Sequence, residues 1–305
     1  MPCRALPCAM AIATVAAAML PTALPAQTPQ PGEVTASAAL SGIYQFDTDL
    51  DHGGSFRWAA GIASGSLTRQ MTPQFSAGLA LQYNYEDWKF SRPVAFGAVA
   101  PWSHLNDVNI AVDLNYTVGP DLVLGASPLF GWAFESGAKT GDALNYGAIL
   151  TATKVFSPTL TLGAGVGVVR QIDDTKVFPF LIVNWQIDDR WRLGNPFPAG
   201  PAGGAGLELV YAPDDHWELA GGGAYRSTRY RLDDAGIAPG GVGENRFFPL
   251  FARVSRRFGR QTRIDFYAGI ALAGRLKVED ANGATVAKDD YSTGPLVGLT
   301  LAHRF

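Results

Sequence analysis

The chain has 305 residues, of which 47% are hydrophobic, 35 are glycine and only 17% are charged, with a formal net charge of −3 at pH 7. Charge below the roughly 25% usual in soluble domains, with an acidic excess, excludes the basic footprint of a nucleic-acid binder. Both cysteines, Cys3 and Cys8, lie at the N-terminus, which excludes disulfides, thiolate catalysis and cysteine metal centres from the rest of the chain.

Residues 1–26 read as a cleaved secretory signal. Arg4 is their one charge, Ala9 to Leu20 is an apolar run, and Pro21 and Pro25 close it before a cleavage expected after Ala26. A short periplasmic segment is expected at 27–33, and 34–305 reads as a single barrel. No later stretch is apolar for the roughly 18 residues of a membrane helix. Instead, apolar and polar residues alternate, the two-residue period of a strand with one oily face. Strands are predicted, in chain order, at 34–47, 55–70, 75–88, 108–119, 121–136, 145–156, 159–172, 177–188, 190–195, 205–212, 217–233, 245–258, 261–280 and 291–305. In the fourth, Val108, Ile110, Val112, Leu114 and Tyr116 share the oily face, opposite Asp113. In the seventh, Leu160, Leu162, Ala164 and Val166 oppose a glycine row, Gly163, Gly165 and Gly167, which bends the wall or makes room for larger neighbours. In the thirteenth, Ile264, Phe266, Ile270, Leu272, Leu276 and Val278 oppose Arg263, Asp265, Tyr267, Arg275 and Lys277. The segment 190–195, cut short by Pro196 and Pro198, is the weakest; without it and a neighbour the count is twelve.

Tight turns at 71–74, 119–121, 157–159, 188–190, 213–216 and 259–261 alternate with mostly longer connections at 91–107, 137–144, 196–204, 235–244 and 281–290. That alternation predicts an all-β fold, an antiparallel up-and-down barrel of about fourteen strands with short turns on one rim and long loops on the other. Three features make it transmembrane. The strands exceed the five or six residues usual in soluble sheets and suit a tilted crossing of a bilayer. Aromatics near strand ends suggest two interfacial girdles, Tyr44, Phe46, Phe56 and Trp58 at one level and Trp185, Trp191 and Trp217 at the other. The polar face carries too many charges to pack as a dry core, so a wet lumen is expected.

The chain closes on YSTGPLVGLTLAHRF, with Leu299, Leu301 and Phe305 on the oily face. A terminal phenylalanine on such a strand resembles the closing strand of bacterial outer-membrane barrels, whose signature is read by the barrel-assembly machinery. Phe305 is the candidate assembly signal, and His303 departs from that pattern at a usually apolar position. The stretches GLELVYAPDDHWELAGGGAYRSTRYRLDD (206–234), ENRFFPLFARVSRRFG (244–259) and GIALAGRLKVEDANG (269–283) resemble an uncharacterised family of outer-membrane β-barrels, known only as a domain of unknown function. The resemblance covers 190–305. It implies the outer membrane of a Gram-negative bacterium, reached by signal-dependent export, with membrane lipid and lipopolysaccharide as surroundings. It transfers no functional residue.

Catalytic geometry is not found. A barrel lipid hydrolase needs Ser and His two apart on one strand face, and none of His52, His104, His216 and His303 has Ser at that spacing. Asp47, Asp49 and Asp51 alternate like a Ca²⁺ loop but lack its distal glutamate. No catalytic residue, metal ligand or cofactor is assigned. The informative feature is charge on the lumen face: Arg253, Arg257, Arg263, Arg275 and Lys277, with Glu208 and Glu218 interleaved and Asp113 across the lumen. One reading is an ion-pair ladder that stiffens the wall. The other is a basic stripe whose transverse field orients small polar solutes. The leading expectation is a passive channel or facilitator for such solutes. The alternative is a closed barrel with a structural or surface-interaction role, and an outer-membrane enzyme comes third.

Overall fold

A computed structural model describes residues 30–198, 200, 203 and 205–305; the signal expected at 1–26 lies outside the described residues. The strands are β1 (Val34–Asp49), β2 (Ser55–Gln70), β3 (Phe75–Ser91), β4 (His104–Val118), β5 (Leu122–Glu135), β6 (Leu144–Ser157), β7 (Leu160–Gln171) and β8 (Asp174–Gln186). They continue with β9 (Trp191–Gly194), β10 (Gly206–Tyr211), β11 (Trp217–Ala224), β12 (Arg226–Arg231), β13 (Val242–Phe258), β14 (Thr262–Glu279), β15 (Thr285–Tyr291) and β16 (Gly294–Arg304). β11 with β12, and β15 with β16, are wall strands interrupted once, so the wall is a closed antiparallel barrel of 14 strands. β1 and β16 join it into a cylinder, from Ser37 opposite Arg304 to Gln45 opposite Leu296. The short segment around 190–195 is a wall strand, and the count of fourteen stands over twelve.

The wall keeps the alternation of its sequence. Leu40, Leu81, Phe130, Leu150, Leu181, Phe266 and Leu299 are exposed on the outer face, where a bilayer takes the place of water. Trp185, Trp191 and Trp217 are exposed near the short-turn rim, as expected of one girdle. The opposite girdle needs correction. Phe46 is exposed, but Phe56 and Trp58 face inward and are 0% and 2% exposed. The outer row of β2 is Ala59, Gly61, Ala63 and Gly65, so its sequence gives little contrast by which to tell the two faces apart.

A second correction falls on β14. Ala273 has φ of 50°, a left-handed backbone that side chains rarely adopt. The register against β13 slips there, between Arg246 and Phe248. Such a bulge resets the two-residue period and swaps the faces beyond it. Leu276 and Val278 therefore turn inward, both at 0% exposure, and Arg275 and Lys277 lie on the opposite face. Arg275 pairs with Asp290, and Lys277 bridges Glu244 at 3.0 Å and Glu279 at 2.7 Å.

Candidate functional site

An eight-stranded barrel has an interior that side chains alone can fill; a wall of fourteen encloses far more space. Here connecting segments contribute to that filling. The β3–β4 connection turns through a short 3-10 segment, Val94–Phe96, and carries Phe96 and Trp102 into the long-loop half, where both are buried. The Trp88 ring stacks on Trp58 at 5.5 Å and on Phe56 at 5.4 Å, and Trp102 meets Trp88 and Phe90 edge-on at 5.5 and 5.7 Å. Gly243 of β13 makes room for this: a Cβ there would lie 2.9 Å from the Trp102 indole. Below the rings Glu86 accepts hydrogen bonds from Trp88 Nε1 at 2.9 Å, Asn84 Nδ2 at 3.0 Å and the Tyr230 hydroxyl at 3.0 Å. Ser103 N–H donates to Glu135 Oε1 at 2.8 Å and fastens the connection to the end of β5. The result is a dry aromatic layer with one ionisable group anchoring its rings.

The β9–β10 connection also enters the lumen. Phe197 packs against Ala39 and Ala302 on the far wall, with the Arg263 guanidinium 5.2 Å from its ring. Gly200 lies against Tyr267, where a Cβ would come within 2.9 Å of the hydroxyl oxygen. The connections β3–β4 and β9–β10 thus both send residues inward, at Trp102 and Phe197.

Five of the eight lumen candidates come together in the short-turn half, on β10, β11, β13 and β14. Arg253 is their hub, its side chain 1% exposed. It reaches Glu208 Oε1 at 2.7 Å, Glu218 Oε2 at 3.2 Å and Asp265 Oδ1 at 3.5 Å, and donates to the Ser255 hydroxyl. Arg257 pairs with Glu218, and Arg263 Nε lies 3.0 Å from Asp265 Oδ1. The wall register explains the convergence, because Glu218 stands opposite Ser255, which stands opposite Asp265. At its centre this charge is a desolvated network in which each carboxylate has a guanidinium. Asp113 stands apart and accepts a hydrogen bond from Ser127 Oγ at 2.6 Å. Arg275 and Lys277 belong to the rim group already described.

Sequence reading missed Arg192, 3.9 Å from Glu218, although the outward Trp191 and Leu193 imply its inward direction. It also missed Arg229, which binds Glu244 at 3.0 Å, Glu279 at 2.8 Å and Asp173 at 3.2 Å and so ties β12 to β13, to the end of β14 and to the β7–β8 turn. Nothing local marks that residue. At the long-loop rim, His52 Nδ1 lies 2.7 Å from Asp289 Oδ1, and that hydrogen bond and charge raise the imidazole pKa above its ordinary value. Asp234 likewise raises that of Lys139.

No family model and no curated protein matches the chain. Among solved structures it is similar to a mutant of the TodX monoaromatic hydrocarbon channel, at 11% identity and a TM-score of 0.49 over 90% of this chain and 91% of that one. It is similar, too, to an outer membrane channel from Pseudomonas putida F1, at 10% identity and a TM-score of 0.48 over 93% of this chain and 100% of that one. The KdgM porin aligns at 9% identity and a TM-score of 0.31, over 86% of this chain and 97% of that one.

Proposed function

We propose that the protein is a passive outer-membrane channel or facilitator for small solutes that rests in a closed state. The observation that carries this reading is that side chains from two connecting segments, at Trp102 and Phe197, occupy the interior of a wall too wide to be filled by its own strands. Connections can move where wall strands cannot, so occlusion of this kind is reversible. The long-loop rim faces outward and the short-turn rim faces the periplasm, as in barrels with this asymmetry. Lipid and lipopolysaccharide surround the exposed outer face, and Phe305, 70% exposed on the closing strand, is the signal for the assembly machinery. Arg257, Arg263 and Arg192 keep some exposure, at 36%, 25% and 21%, and they bias the lumen toward anions.

The test is single-channel recording of the refolded chain in a planar bilayer under a salt gradient. Rare, discrete openings with a non-zero reversal potential are expected, becoming frequent when residues 94–102 are replaced by a short glycine-serine turn. A bilayer that stays silent with both chains, with folding verified by heat-modifiable gel mobility, favours the closed structural barrel. The buried pairing around Arg253 supports that second reading.

A further inference from the structure

The wall is interrupted on one side. β9 and β10 end at Gly194 and Gly206, while β12 continues β11 along β13 in the same register, past the end of β10, until Arg231 stands opposite Phe134 of β5. β8 carries on alone. Its pairing with β9 covers only Asn184 to Gln186, so toward Asp174 it has no neighbour on that side among the described residues. Its outward side chains there, Val177 and Leu181, are apolar and 57% and 66% exposed, which sets this free edge at membrane depth.

A strand edge facing lipid leaves N–H and C=O groups without water or partner, and at membrane depth such backbone is tolerated only where it is buried in protein or lines a water-filled cavity. The sequence is adapted to this edge. Val183 and Leu181 direct backbone groups toward the missing strand, and the Asn195 amide meets them. Its Oδ1 accepts from Val183 N–H at 2.9 Å, and its Nδ2 donates to Leu181 C=O at 3.0 Å and to Gly206 C=O at 2.9 Å. By the two-residue period Pro179 is the next residue on that edge, and proline has no N–H to satisfy. The Arg229–Asp173 pair, at 3.2 Å, bounds the gap at the rim. Behind it the inner wall is apolar: Ala111, Leu129, Ile149, Val169 and Phe178 form one buried cluster with Phe180 beside it.

We infer that the gap between β8 and β12 is a lateral port, through which small apolar solutes pass between the interior of the barrel and the outer leaflet. The inference rests on the facilitator reading and names the solute class for it. An apolar solute gains nothing from an aqueous axis, and the aromatic layer blocks that axis at rest. A side exit into lipid, edged by proline and a single amide and backed by Phe178 and Phe180, needs no axial opening.

The test is the entry rate of the apolar fluorophore N-phenyl-1-naphthylamine into Gram-negative cells making the full chain. Entry several-fold faster than in cells lacking the chain is expected, returning to background for Leu181→Lys, which sets a charge at the mouth of the port. Entry no faster than background, or a folded Leu181→Lys barrel that admits the probe at the full rate, overturns the port. Should Leu181→Lys fail to fold, p-benzoylphenylalanine in place of Phe180 serves in proteoliposomes. Cross-linking to tritiated decane supports the port, and cross-linking to phospholipid alone overturns it. Conductance through a Trp102→Ala barrel with no probe entry leaves the channel reading standing and removes the port.

Discussion

Trp102 stands edge-on to Trp88, ring centroids 5.5 Å apart and planes at 79°, so a residue from a connection closes against a residue from the wall. Phe90 meets the same indole from the side at 5.7 Å and 89°. On the channel reading proposed above, this residue is the latch of the outer half of the lumen. Trp102→Ala removes two edge-to-face contacts of about 0.5–1.5 kcal/mol each, a shift on the order of tenfold toward the open state. Planar-bilayer open probability is the readout, and an unchanged value would show that the latch lies elsewhere.

Arg253→Met leaves Glu208, Glu218 and Asp265 buried with fewer counter-charges. Breaking a buried network by removing one partner costs on the order of 3–5 kcal/mol. Urea unfolding of the refolded barrel, followed by gel mobility, should show a clear loss of stability. The triple change that also makes Glu208→Gln and Asp265→Asn should recover most of it, because it removes the orphaned charges together with their partner.

The glycine row of β7 is filled by its neighbour. A Cβ on Gly167 would lie 2.1 Å from the Phe178 ring, and one on Gly165 would lie 2.2 Å from Phe180. Gly167→Val forces that ring off the wall, at a cost of about 1–3 kcal/mol for overpacking. Pairing it with Phe178→Ala should relieve the clash, and the double variant is expected to refold more completely than Gly167→Val alone.

His52 and Asp289 clasp the β1–β2 connection to β15. Asp289 raises the imidazole pKa above 6.5, with smaller help from the nearby Asp51 and Asp290. A raised folded-state value means that the clasp is fully present below the ordinary imidazole range and is lost as pH rises through the raised value. Protease nicking at 50–54 should therefore increase with pH. Asp289→Asn should flatten that profile; a profile that keeps its slope would assign the effect to another group.

Much of the barrel is legible in the sequence because alternation and turn chemistry are local. Leu81 with Tyr83, or Val112 with Leu114, declare their face within a few residues. The interior is less legible, for reasons visible at single positions. The bulge at Ala273 swaps the faces of a strand, and Gly274 beside it is one small residue among several in that stretch, so Leu276 and Val278 read as lipid-facing and Arg275 and Lys277 as lumenal. Phe56 and Trp58 are aromatic near a rim, the usual mark of a girdle, yet they point inward because the other row of β2 is too small to bury anything. Trp102 and Phe197 sit in connections whose inward path depends on distant walls. The Arg253 network is half legible. The two-residue period puts its members on one face, but their union depends on the register of four strands.

The first and last strands form the seam of the barrel, with Ser41 Oγ and Thr300 Oγ1 bonded at 2.8 Å across 259 positions of chain. That seam makes the order of synthesis and the order of completion different things. β1 is made well before β16, so its edge waits unsatisfied until that partner follows. Closing the seam joins strands far apart in the chain, at an entropy cost that grows only slowly with the length between. The edge of β1 is therefore open to unwanted pairing until β16 covers it.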